Sequence, residues 1–235
     1  MNWKKYTLEF LSIFVAVILA FALDHWNESR RDREAEAKIL LEIYNGLQQD
    51  KEDVRINVIG HKLGIAACAY WRNLFDGKSV NIDSLARNYF LVTRDFISIQ
   101  NTSGYETLKS RGFELVENDS LRQKIISVYE FNYQVLRKLE EEYTENQFQK
   151  NYFDKINDVL GPHFVYNSKG EIIDINRPLN LSEEERNILF SYLYKIQYNR
   201  EFVLDFYDKV DENIDDLMGL LESNLGIELK RGEVD

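Results

Sequence analysis

From Phe10 to Leu23 the chain is uncharged and almost wholly apolar, and then it turns abruptly to charge. That run is short for a bilayer crossing by itself. Its flanks lengthen it. Trp3 and Tyr6 stand before it and Trp26 after it, and such side chains favour the two membrane interfaces. As a helix, Trp3 to Trp26 covers about 34 Å, against a hydrocarbon core of about 30 Å. The pattern predicts a transmembrane helix within residues 1–26. Beyond it Leu40, Tyr44, Leu47, Val54, Val58, Ile65 and Ala69 recur at helical spacing. Asn27 to Lys38 holds no Gly or Pro, and its opposite charges lie three and four residues apart. The same helix is therefore expected to continue as a stalk over 27–78. Gly77 is its first stop, and Gly60 and Gly64 are places where it can kink.

The remaining pattern predicts a helical bundle over 79–225 and a tail over 226–235. Leu85, Tyr89, Val92 and Phe96 share one helical face. Ser103 with Glu106 reads as a capping box, and Gly112 as a helix end. Asn118, Asp119 or Ser120 can cap the next helix, whose stripe is Leu121, Ile125, Val128, Asn132, Val135, Leu139 and Tyr143, running to about Leu160. Residues 163–176 lose the helical period and read as a small β-hairpin or a structured loop. The last helix opens on Ser182-Glu183-Glu184-Glu185, a capping box. Its stripe runs from Leu189 through Leu193, Ile196, Val203, Phe206, Val210, Ile214 and Leu217 to Leu221, and Gly226 ends it. The fold class is all-α: a membrane helix continuing into a stalk and an antiparallel bundle.

Three features bear on the opening segment. Lys4, Lys5, the apolar run and Ala20-Phe21-Ala22 also fit a cleavable signal peptide. Against that reading stand Glu9 at the start of the apolar core and the unbroken helical pattern after the cut. Ser12, Ala16 and Ala20 fall four residues apart, and small residues so spaced let helices approach closely in lipid. Glu9 and Asp24 extend that face at either end, which makes them candidates for a buried-acid or ion site. Glu9 either turns toward partner helices or reaches the interface beside Lys5.

Composition narrows the function classes. The 235 residues carry a net charge of −11, with no basic stripe of the kind that neutralises phosphates, so nucleic acid is not an expected partner. The single cysteine, Cys68, lies in an apolar run and reads as a small buried hydrophobe. His25, His61 and His163 have no ligand spacing, so neither metal nor cofactor is expected. The acidic runs Glu140-Glu141-Glu142 and Glu183-Glu184-Glu185 read as solvated faces, because neighbouring helix positions point in different directions. The aromatic residues of 190–207 read as core and interface. No nucleotide-binding, nucleophile-elbow or zinc-protease motif is present.

Two blocks resemble a family of uncharacterised small membrane proteins from Bacteroidetes-type bacteria. Glu9, Trp26, Asn27 and Glu28 match its start, where Asp24 and His25 depart from paired asparagines. Tyr105, Glu106, Leu108, Lys109, Ser110 and Gly112 match its second motif. The resemblance implies a membrane protein with an N-terminal span and a periplasmic domain, and it implies no activity.

The expectation is a non-enzymatic, single-pass protein of the bacterial inner membrane, N-terminus cytoplasmic. It is a homo-oligomeric scaffold, sensor or envelope-complex subunit in contact with lipid. One alternative is a subunit of an ion-conducting or ion-driven complex that uses Glu9. Another is an enzyme or small-ligand binder in the bundle.

Overall fold

A computed structural model describes residues 3–226, with side chains from Phe10 onward. The side chains of Trp3, Tyr6 and Glu9, and the tail from residue 227, lie outside the described residues.

The fold is all-α with one small hairpin. Its frame is α1 (Trp3–Phe75) paired with α7 (Glu183–Leu225). The two run antiparallel. The Tyr44 hydroxyl donates to Glu222 at one end (3.1 Å), and Arg72 donates to the Leu193 carbonyl at the other (3.1 Å). Between them in sequence lie α2 (Leu85–Thr93), α3 (Ser103–Arg111), α4 (Asp119–Ser127), α5 (Tyr133–Arg137) and α6 (Phe148–Leu160). Strands β1 (Phe164–Tyr166) and β2 (Ile172–Ile175) form the antiparallel hairpin expected over 163–176.

The apolar opening segment and the bundle share one uninterrupted helix. The bundle begins to bury α1 at Ile39. The helix does not break at Gly60 or Gly64. A Cβ at Gly60 would stand 2.3 Å from the Phe96 ring, and one at Gly64 would stand 2.5 Å from Arg200 Nε. These glycines serve close packing against α1.

Caps set several ends. The Ser182 hydroxyl accepts from the Glu185 N–H (3.1 Å), while the Glu185 carboxylate accepts from the Ser182 N–H (2.8 Å), and Gly226 closes α7 in the left-handed conformation. Asn118 caps α4 through the Leu121 N–H (3.1 Å). The box expected at Ser103 and Glu106 does not form. Thr102 is the N-cap without a side-chain bond, and the Ser103 hydroxyl donates to Asn101 instead (3.0 Å).

The single helix expected from Leu121 to Leu160 is interrupted. Val128–Asn132 and Lys138–Glu142 are π-turns, and Tyr143–Gln147 is non-α-helical. A π-turn inserts one residue into the repeat. After Val128 the buried face therefore shifts by one position, to Tyr133, Leu136 and Glu140 rather than Asn132, Val135 and Leu139.

The buried apolar residues form two clusters. The first joins α1 from Ile39 to Val54 with α3, α4, α5 and the Val203–Leu221 part of α7. The second joins α1 from Ala67 to Leu74 with α2, α6, the hairpin and the Leu189–Ile196 part of α7. Cys68 is fully buried in it. Between the clusters the inward residues change character: Asn57, Gly60, His61 and Gly64 on α1, and Asn199 and Arg200 on α7. The molecule has a polar waist.

Candidate functional site

The waist surrounds an extended, non-repetitive strap, Arg94 to Thr102, which leaves the end of α2 and returns to α3. Such a segment has no internal partners for its peptide groups, and buried N–H groups need acceptors. Three carboxylates from two elements supply them. Asp50 accepts from the Asn101 N–H (2.6 Å), Asp53 from the Ile99 N–H (2.9 Å) and the Ser98 hydroxyl (2.6 Å), and Glu140 from the Ser98 N–H (3.1 Å). Two phenols complete the set: Tyr133 donates to Asp50 (2.7 Å) and Tyr207 donates to Glu140.

Among the described residues none of these carboxylates has an ion-pair partner within 4.0 Å. Burial therefore dominates the titration of Asp50 and Glu140. It pushes Asp50 up to about 6, against the pull of the Asn101 N–H and the Tyr133 hydroxyl. It pushes Glu140 up to about 7, against the Tyr207 and Ser98 donors and with a further push from Asp53. The Tyr133 and Tyr207 phenols are raised by burial and then by their carboxylate neighbours, so they stay protonated donors.

Arg200 anchors the strap's other end. It is fully buried and donates to the carbonyls of Leu91 (3.4 Å), Val92 (3.2 Å) and Arg94 (2.7 Å), the unpaired acceptors where α2 stops. Its guanidinium stacks 4.2 Å from the Phe148 ring centroid and 5.5 Å from that of Phe96. Burial lowers it to about 10, so it remains a cation. His61 Nδ1 lies 3.3 Å from the guanidinium. Burial first and Arg200 second push His61 down to about 3. It is neutral, and because arginine only donates, Nδ1 is the acceptor and the proton sits on Nε2. Asp95, on the strap, accepts from the Phe148 N–H (2.8 Å) and the Gln149 N–H (3.3 Å), which caps α6.

This arrangement fastens a strap between two apolar clusters. Among the described residues His61 Nε2 has no hydrogen-bond partner, and no three His, Cys, Asp or Glu side chains are placed to hold a metal ion. An open groove of about 520 Å³ between α1 and α7 is lined by Lys51, Glu52, Arg55, Asp208 and Asp211, of mixed charge.

The residues singled out in the opening segment lie elsewhere. Ser12, Ala16, Ala20 and Asp24 stand on the exposed part of α1, and Trp26 is exposed there too. The reading of Glu140 as part of a solvated run is corrected: Glu140 is buried, while Glu141 and Glu142 face outward. Conversely, Tyr194 and Tyr198 are not core. They stack on each other at the surface, 66% and 59% exposed. Asp50, Asn57, His61 and Arg200 were discernible in one respect. Each sits in phase with an apolar helical stripe, where a polar residue signals a buried network. Comparison with known protein families, characterised proteins and solved structures finds no match.

Proposed function

We propose that this chain is a single-span, membrane-anchored helical protein that assembles with further copies of itself. It serves as a scaffold, sensor or envelope-complex subunit rather than as a catalyst. The observation that carries this reading is the continuity of α1. Its N-terminal part is long and apolar enough to cross a membrane, with mean hydropathy 1.7 in its most apolar window and none of that window buried. Phe10, Phe14, Leu19 and Phe21 are all more than half exposed. A bare apolar surface of that extent is stable in lipid and not in water. The same helix then lines both apolar clusters, and no Gly or Pro interrupts it between Phe10 and Ile39, so any tilt of the span is transmitted to the start of the bundle.

The span sits in the bacterial inner membrane with the N-terminus in the cytoplasm and the acidic bundle in the periplasm. Ser12, Ala16 and Ala20 are the helix–helix contact in lipid. The full-length protein should sediment with membranes and resist alkaline carbonate extraction. In mild detergent its mass should exceed one chain. Ala16→Leu should raise the dissociation constant about tenfold, since an inserted side chain costs about 1–3 kcal/mol at a close contact. Release by carbonate would overturn anchoring, and a monomeric mass would overturn assembly.

A further inference from the structure

We propose that the recess between the stalk and the end of α3 binds the headgroup of a membrane phospholipid that carries a primary ammonium. Arg31 and Arg111 take its phosphate, and Glu28 and Asp32 take its ammonium. This rests on the reading above that α1 crosses the membrane, which sets Trp26 at the interface.

Two elements form the recess. On α1, Glu28, Arg31, Asp32 and Ala35 follow one another at helical spacing and share one face. α3 runs back along α1 toward the membrane. A Cβ at Gly104 would stand 2.8 Å from the Ile43 nitrogen, and just beyond α3 the Glu117 N–H donates to Glu36 (3.2 Å). Arg111, the last residue of α3, is thereby carried over the stalk. With the four α1 residues it lines a recess of about 240 Å³. That is the volume of about eight waters, ample for a phosphate and an ammonium.

Three observations identify the ligand. The first is depth. Along the helix Glu28 lies about 3 Å and Arg31 about 7–8 Å beyond Trp26. The headgroup layer is about 5–8 Å thick on each side of the hydrocarbon core. Helical side chains lean toward the helix N-terminus, here toward the membrane, and an arginine extends further still. The second is charge. Among the described residues neither Arg31 nor Arg111 forms an ion pair, although neighbouring Arg30 pairs with Glu34 (3.6 Å). Glu28 and Asp32 are equally unpaired. Two cations and two anions, all exposed, match a headgroup that bears both signs, with the guanidinium forks on its phosphate. An anionic headgroup without an ammonium would meet Glu28 and Asp32, on a chain of net charge −11, with nothing to offset them. The third is the absence of an aromatic ring from the lining. A quaternary ammonium is recognised by aromatic faces, whereas a primary ammonium has three N–H donors for carboxylates.

The test is native mass spectrometry of the full chain in mild detergent, titrated with phosphatidylethanolamine, phosphatidylcholine or phosphatidylglycerol of identical acyl chains. One phosphatidylethanolamine per chain should be retained, about tenfold more tightly than either other lipid. Arg31→Ala with Arg111→Ala should weaken that binding about tenfold. Arg33→Ala, on the far side of α1, should leave it unchanged. Glu28→Gln with Asp32→Asn should abolish the preference over phosphatidylglycerol. Equal retention of the three lipids, a preference of the parent chain for phosphatidylglycerol, or an equal loss on Arg33→Ala would overturn the inference. Soluble glycerophosphoethanolamine bound as tightly as the lipid would assign the recess to a soluble ligand and overturn it too. Carbonate extraction of the same chains separates the two readings. A chain that stays in the membrane yet shows no lipid preference loses only the headgroup site, while release by carbonate removes the membrane reading beneath it.

Discussion

Replacing Glu140 by Gln should change how stability depends on pH, and the direction follows from burial. The Glu140 carboxyl titrates near 4.5 when unfolded and at about 7 in the folded protein. As pH rises between those values the unfolded chain ionises first, so the folded state is progressively disfavoured. The contribution is complete below about 4.5 and lost as pH rises through about 7. At about 1.4 kcal/mol per pH unit the loss is of the order of 3 kcal/mol. The amide of Gln does not ionise. Its oxygen still accepts from the Ser98 N–H, but its nitrogen must donate toward the Tyr207 oxygen, leaving the phenol's proton without an acceptor. That loss is about 1 kcal/mol at any pH. The variant should therefore be slightly less stable than the parent at about pH 5 and more stable at about pH 8, a swing of about 3 kcal/mol. For a chain of this size that corresponds to roughly 6–12 °C in the difference of melting temperatures. Thermal unfolding of both proteins in the same detergent, followed by circular dichroism, measures it. Asp50 titrates alike in both proteins and cancels. An identical gap at the two pH values would show that water reaches Glu140 and that the strap is not held as described.

Two further substitutions probe the packing and the caps. Gly64→Ala would place a methyl 2.5 Å from Arg200 Nε, and Arg200 is held by three carbonyls and two rings, so denaturant unfolding should show a loss of about 1–3 kcal/mol; an unchanged midpoint would mean that Arg200 does not lie against α1. Ser182→Ala removes one half of the α7 capping box and should cost about 1 kcal/mol, with faster hydrogen exchange confined to the first turn after residue 182; uniform acceleration along α7 would contradict a local capping role.

Much of the fold was legible because its signals act within one helical turn. The Ser182–Glu185 box and Gly226 mark both ends of α7 from sequence alone. The apolar run from Phe10, the small hairpin and the buried Cys68 follow equally from local pattern. The exposed row of Ala16 and Ala20 was visible too, since spacing along one helix needs no partner. The waist was not. Glu140, Glu141 and Glu142 are identical in kind, and only the π-turn at Val128–Asn132, which moves the buried face by one residue, turns the first of them inward. The break at Tyr143–Gln147 contains neither Gly nor Pro. It is stabilised by Asp95, far away in sequence, capping the helix that follows. Ser103 and Glu106 have the right spacing for a capping box, yet Asn101 takes the serine hydroxyl. Local propensity and periodicity thus set where helices start, stop and point their apolar sides. Which polar groups go inside was decided by tertiary contacts, because a buried carboxylate, cation or phenol is stable only where distant segments bring it a hydrogen-bonding partner.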